Sequence, residues 1–145
     1  MRLLKYDPNH TCGESGKFAG TRILPPEGDH LAIVESIGEA FKSKDKYHFT
    51  IELGIVGMNA LISVWIECTD DGTPAENWRG LTKWNQFCAA LNMKEGTYND
   101  GAFYGSPLMI TVERNGKYLN VSRMRTCSES ESNKAAEWLS QHMEP

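Results

Sequence analysis

The residues with the clearest potential for binding chemistry are Trp65, Lys46 and His48. They belong to two runs, 46–53 and 60–68, in which apolar and polar side chains alternate. Alternation with a period of two is typical of β-strands that bury one face and expose the other. In this register Trp65 falls on the polar face, as do the lysine and the histidine of the neighbouring run. A displayed indole can stack on flat aromatic groups, and the cations beside it can pair with anions.

Two aromatic side chains are therefore candidate stacking platforms, and each has a second interpretation. Trp65 could instead be a core residue that packs under the N-terminal arm or the C-terminal tail. Tyr118 points outward on a later alternating run, 117–125, directly after Lys117. It could instead form an aromatic pair across two strands.

Two clusters of basic residues would supply contacts for an anionic partner. The first surrounds one predicted turn, and the second lies in a segment, 114–125, that contains no acidic residue. Their members are Lys42, Lys44 and Lys46, and Lys117, Arg123 and Arg125. The net charge of the chain is −4, with four glutamates after residue 127. A single surface lysine is usually only a solvated charge, so the clustering is what suggests an anionic partner.

Side chains that could catalyse a reaction or bind a metal are scattered along the sequence. The four histidines are isolated, and no pair of the four cysteines has zinc-finger or redox-motif spacing. Catalysis needs a nucleophile, an acid–base pair or a metal within reach of one another. We therefore expect no enzymatic activity, cofactor or metal, although groups distant in the sequence can meet in a fold.

The alternating runs and turn signals divide the chain into an arm, one domain and a tail. A length of 145 residues is typical of a single domain. Residues 1–24 form an irregular arm, 25–127 the domain, and 128–145 an acidic tail with a short helix. Strands are predicted at about 29–41, 46–53, 60–69, 107–114 and 117–125. A capping box at residues 73–76 predicts a helix that ends near Asn92 and turns Trp78 and Trp84 toward the core.

Three strands, a helix and two strands are the element order of the OB-fold. The predicted fold is therefore mainly β. It is a five-stranded OB-fold-like barrel with one helix between strands 3 and 4, and with a C-terminal short helix or tail. Small mixed barrels and α+β sandwiches share this order and stay as alternatives.

Several segments together resemble a family of bacteriophage single-stranded DNA-binding proteins. These segments are LPPEGDHLAIVESI, KDKYHFTIELGIVG, a strand with VWI, a helix with W-x5-W-x2-F, and GSPLMITVERNGKYLNV, and they span residues 22–125. The resemblance implies sequence-nonspecific binding of single-stranded DNA in phage replication or recombination, in the host cytoplasm. The residues expected to contact DNA are Trp65, Tyr118, Lys42, Lys44, Lys46, His48, Lys117, Arg123 and Arg125.

The acidic tail carries two apolar side chains, Trp138 and Leu139, that could anchor a replication or recombination protein. The tail could also compete with DNA for the basic face, or be a solubilising terminus with a capping helix. A barrel of this size would cover only a short stretch of DNA, which favours a homodimer or a larger assembly.

A structural or adaptor protein that uses Trp65 as a contact hot spot is the main alternative function. The sequence has no apolar run long enough to cross a membrane. Its first residues lack the apolar core of a secretory signal. We therefore expect a cytoplasmic protein with no membrane partner.

Overall fold

Six strands and two helices make up residues 22–142, the part of the chain that the structure, a computed structural model, describes. The strands are β1 (Gly28–Ile37), β2 (Phe41–Ser43), β3 (Lys46–Ile55), β4 (Leu61–Cys68), β5 (Pro107–Asn115) and β6 (Tyr118–Arg125). The helices are α1 (Lys83–Ala90) and α2 (Glu129–His142). A π-helical turn, Trp78–Thr82, leads directly into α1, and a 3-10 turn, Asp100–Phe103, precedes β5.

All strands join one antiparallel sheet in the order β2-β3-β1-β5-β6, with β4 paired to β3. β4 occupies one edge of β3, while β1 and β2 pair with successive stretches of its other edge. The expectation of a mainly β fold is confirmed. The sheet is open, because no backbone ladder joins β4 to β6 within residues 22–142, although the two strands approach each other. Closure into a barrel therefore stays a prediction.

Alternate side chains of the strands form the main core on one face of the sheet. Phe49, Ile51 and Leu53 of β3 are buried there, as their alternation predicts. α1 contributes Phe87, and the partly buried Trp84 packs against Phe49 at 5.7 Å between ring centroids. Burying one large apolar side chain contributes about 1.5–3 kcal/mol, so this face dominates the stability of the sheet.

Part of the opposite sheet face is covered by α2. Ile33 of β1 and Met109 of β5 point away from the main core and are nevertheless buried. α2 contacts both strands, and its Ala135 is buried in the same contact. The C-terminal segment therefore packs on the domain as a helix of 14 residues.

The first predicted strand is broken in the structure. β1 ends at Ile37, and Gly38 passes so close to Thr50 that a Cβ there would lie 3.3 Å from its Oγ1. The chain resumes as β2, and Lys44 and Asp45 form a tight turn to β3 with φ values of 53° and 71°. Two-residue turns of this left-handed kind match the twist of a hairpin. The basic cluster of residues 42–46 therefore lies on a hairpin instead of a longer loop.

The predicted start of the helix is wrong. Thr73 does not cap a helix, because its amide donates to the Asp71 carboxylate in a turn that folds back on β4. The cap is Asn77, whose side chain accepts from the Gly80 amide at 2.9 Å. The π-helical turn that follows also changes which side chains face inward. Trp78, predicted to face the core, is exposed.

The residues before β1 attach to the sheet near β4. Ile23 bridges Ala60 in a parallel orientation, and Arg22 forms a two-pronged ion pair with Glu35 at 2.6 and 2.8 Å. Of the predicted arm, residues 1–21 lie outside the described residues. Neither described helix is long and apolar enough to cross a membrane.

Candidate nucleic-acid interface

Three rings, two of them exposed and the third, His48, partly buried, lie together on the outer face of β2, β3 and β4. We call Phe41, His48 and Trp65 the aromatic cluster. Trp65 is 46% exposed, on the polar face that its alternation predicts. Its ring centroid lies 5.2 Å from that of Phe41 and 5.3 Å from that of His48, with steep interplanar angles of 82° and 62°. The indole is therefore held by its neighbours while much of its surface stays open to solvent.

Strand register brings the three rings together. Phe41 pairs with His48, and Trp65 pairs with Thr50, which follows His48 on the same face of β3. Phe41 was missed by the sequence analysis, which placed it at the end of the first strand. The short alternating run from 41 to 43, opposite Lys46 across a two-residue turn, is the signal that could have identified it.

The carboxylate of Glu67 lies beside the aromatic cluster. Glu67 is opposite His48, accepts a hydrogen bond from Asn77 Nδ2 at 2.9 Å, and lies 3.6 Å from Lys46 Nζ. The hydrogen bond from Asn77 and, to a lesser degree, the charge of Lys46 lower the pKa of Glu67 against the opposing effect of burial. The face is thus polar, and one of its predicted cations is already paired.

A further cation reaches the cluster from α1. Lys83 Nζ donates to the Trp65 carbonyl at 3.1 Å. Burial, and secondarily the charge of Arg79, lower the pKa of Lys83. Lys83 and Arg79 are not among the cations that the sequence predicts to contact DNA. Lys83 lies beside the backbone of Trp65, and Arg79 is close enough to Lys83 to affect its pKa. No sequence signal identifies them, because they meet β4 only through the turn that precedes α1.

The remaining predicted contacts lie in three places. Lys42 and Lys44 are exposed on the β2–β3 hairpin next to the aromatic cluster. Tyr118 is exposed at the tip of the β5–β6 hairpin, with Lys117 Nζ 5.6 Å from its ring centroid.

Arg123 and Arg125 lie elsewhere, in a groove of about 630 Å³ on the outer face of β5 and β6. Asp29 and Glu113 also line this groove, so its charges are mixed. Arg125 additionally forms an ion pair with Glu131 of α2 at 3.7 Å. The structure thus brings Trp65, His48 and Lys46 together, whereas Arg123 and Arg125 line a separate groove.

The two apolar residues of the tail are half-buried on α2. The Trp138 ring stacks on that of His142 at 3.6 Å between centroids. Leu139 Cδ2 comes within 2.9 Å of the position that a Cβ would take at Gly105. Leu139 is thus used in packing the helix on the domain, and its binding of a partner stays a prediction.

Three cysteines lie among the described residues, and none of them is in a disulfide. Burial raises the pKa of the Cys68, Cys88 and Cys127 thiols, which leaves them poor nucleophiles near neutral pH. Between residues 22 and 142, no three histidine, cysteine or acidic side chains converge on a point that could hold a metal.

Comparison with known proteins adds no relative. The chain matches no family model, and no curated protein matches it significantly. The function proposed below therefore depends on the geometry of the aromatic cluster and on the resemblance seen in the sequence.

Proposed function

We propose that this protein binds single-stranded DNA without sequence preference, by stacking bases on the aromatic cluster and holding the backbone with nearby cations. One observation carries the proposal: Trp65 is about half exposed on the outer face of β4, with Phe41 and His48 packed steeply against it. An indole left in this position forgoes much of the stabilisation that burial would provide. Stacking on an unpaired base is worth about 1–3 kcal/mol per base and suits every base, since all have a flat face.

The strand order supports an OB-type architecture for this function. In the sheet, β3 lies between β1 and β4, and β5 of the β5–β6 hairpin pairs with the other edge of β1. If β1 and β2 are counted as one interrupted strand, this arrangement is compatible with a partly open five-stranded Greek-key barrel. In that family the face of the second and third strands binds oligonucleotides, and β3 and β4 would be those strands here.

The cations favour a negatively charged strand. Lys42 and Lys44 are exposed on the hairpin beside the cluster, and Lys46 lies at the start of β3. Lys117, Tyr118, Arg123 and Arg125 enter the proposal as contacts for a longer DNA, because they lie on or beside β6. Each phosphate contact releases condensed counterions, so affinity should fall as salt rises.

The biological setting is part of the same proposal. From the resemblance, we assign the binding to phage replication or recombination in the host cytoplasm, with no catalytic step. A homodimer and a partner protein on the tail belong to this setting as well.

Tryptophan fluorescence during titration with oligo-dT tests the proposal, with a duplex of equal length as a comparison. We expect quenching by oligo-dT, a weak response to duplex and loss of affinity at raised salt. Trp65→Ala should weaken oligo-dT binding roughly 5- to 150-fold, the equivalent of about 1–3 kcal/mol. It should leave the fold intact because the side chain is half exposed.

Tyr104→Ala is a matched control, since Tyr104 is an exposed aromatic outside the cluster. It should leave affinity near that of the unmodified chain. Absence of oligo-dT binding at low salt would contradict the proposal and leave the cluster as a protein-contact surface. An unfolded Trp65→Ala variant would assign Trp65 to the core.

A further inference from the structure

The most exposed tryptophan of the described residues is Trp78. It is 68% exposed at the start of the π-helical turn, although its place in the predicted helix favours the core. A large aromatic side chain that is exposed to this extent is available to stack on a flat group of a partner.

The turn that carries Trp78 is firmly held against β4. Asn77 caps it through Gly80 and also donates to Glu67, whose side chain shares the outer face with Trp65. Gly80 is buried, and a Cβ there would lie 2.6 Å from the Glu67 carbonyl oxygen. Trp78 is therefore carried by a turn that hydrogen bonds and close packing attach to β4, the strand of Trp65.

Two cations on and directly after the π-helical turn have no acidic partner among the described residues. Arg79 follows Trp78, and Lys83 reaches the Trp65 carbonyl at 3.1 Å. In the described part of the chain no carboxylate lies within ion-pair distance of either cation. Burial and, to a lesser degree, the charge of Arg79 lower the pKa of Lys83. A phosphate beside these cations would supply the opposite charge that no described carboxylate provides.

We infer that Trp78 is a second base-stacking platform and that Arg79 and Lys83 bind the phosphate backbone between it and Trp65. The inference rests on the proposed function and adds to it the path of the DNA strand across the protein surface. The strand would run from the outer face of β4 onto the π-helical turn. Aromatic platforms alternating with cations match the alternation of base and phosphate along a single strand. In a duplex the base faces are stacked on each other and unavailable to Trp78.

The dependence of affinity on oligonucleotide length tests the inference, because a short strand can contact only one platform and a longer strand can contact both. Binding of oligo-dT of about 4 and about 12 nucleotides, which brackets common site sizes of one domain, would be measured by anisotropy. Trp65→Ala should weaken both. Trp78→Ala should weaken the longer strand roughly 5- to 150-fold and change the shorter one less than about twofold.

A charge series tests the phosphate contact separately. Arg79→Gln should reduce the slope of log K against log salt by about 0.7, the value for one phosphate contact on a single strand. Arg79→Lys should restore the slope. Lys134→Gln is the control, since Lys134 is an exposed cation on α2, away from β4, and it should leave the slope unchanged.

The outcomes separate the two proposals. If the unmodified chain does not bind oligo-dT, the proposed function fails and this inference fails with it. If Trp65→Ala weakens binding while Trp78→Ala and Arg79→Gln have no effect, only the second platform is overturned. An equal effect of Trp78→Ala on both lengths would also overturn it, because Trp78 would then belong to a single contact site.

Discussion

At the scale of single residues, Gly80 lies too close to neighbouring backbone atoms to carry a side chain. A methyl group at this position would collide with backbone atoms of Ala75 and with the Glu67 carbonyl oxygen. Backbone cannot rotate away as a flexible side chain can, so the contact admits only glycine. The same contact seats the π-helical turn against β4 and thereby positions Trp78 and Lys83.

Gly80→Ala should therefore destabilise the protein by about 1–3 kcal/mol, as overpacking usually does. Urea unfolding followed by circular dichroism would measure the change. Gly101→Ala is the matched control, because its nearest described neighbour, Asn99 Oδ1, would lie 3.5 Å from the new Cβ. Equal stability of the two variants would show that the turn can move away from β4.

At the scale of elements, the Glu67 carboxylate on β4 contacts side chains from two other segments of the fold. Glu67 on β4 pairs with Lys46 on β3 and accepts from Asn77 before α1. Hydrogen bonding by Asn77 is the largest cause of its lowered pKa. A carboxyl whose pKa is lower in the folded chain than in the unfolded one stabilises the fold while it is ionised.

This linkage predicts a specific pH dependence. The stabilisation by Glu67 should be complete above its ordinary pKa of 4.5 and disappear as pH falls through the lowered folded value. Glu67→Gln should thus be less stable than the unmodified chain at pH 7, and the difference should shrink by about pH 3. Urea unfolding at both pH values would measure it.

Asn77→Ala serves as the second variant, since it removes the main cause of the shift and should reduce the same pH dependence. A gap between Glu67→Gln and the unmodified chain that stays constant from pH 7 to about 3 would contradict this account.

At the scale of the whole molecule, the two faces of the sheet are covered by different elements. One face forms the main core with α1. The other is divided between α2, which covers Ile33 and Met109, and the open region that carries the aromatic cluster. Because α2 covers one part of the outer face, the tail is a structural element of the domain as well as an acidic segment.

Leu139→Ala should lower the free energy of unfolding by roughly 0.75–1.5 kcal/mol, since a half-buried leucine has about half of its burial free energy to lose. Leu81→Ala, at an exposed leucine before α1, should change stability by less than about 0.5 kcal/mol. Thermal and urea unfolding would compare the pair. If Leu139→Ala had no effect on stability, the contact with Gly105 would be unimportant and Leu139 would be free for a partner protein.

Local patterns predicted the sheet better than they predicted the turns. The faces of β3 and β4 follow from alternation alone, because each side chain of a strand points to the side opposite its neighbours. The capping signal at Thr73 failed because that amide hydrogen-bonds to Asp71 in a turn that returns to β4. Asn77 caps the turn instead, and its contact with Glu67 lies 10 residues back in the chain.

The mainly β character, the buried faces of β3 and β4 and the outward position of Trp65 follow from the sequence alone. These depend on the period of two and on the hydrophobic effect, which act within a single strand. The contacts of Phe41 and His48 with Trp65, the exposure of Trp78 and the hydrogen bond from Lys83 to the Trp65 carbonyl are settled only in the folded chain. The fold also left Arg123 and Arg125 in a different groove. The physical reason is that these placements depend on how strands pair and how a turn seats against a sheet edge, which contacts between distant residues determine.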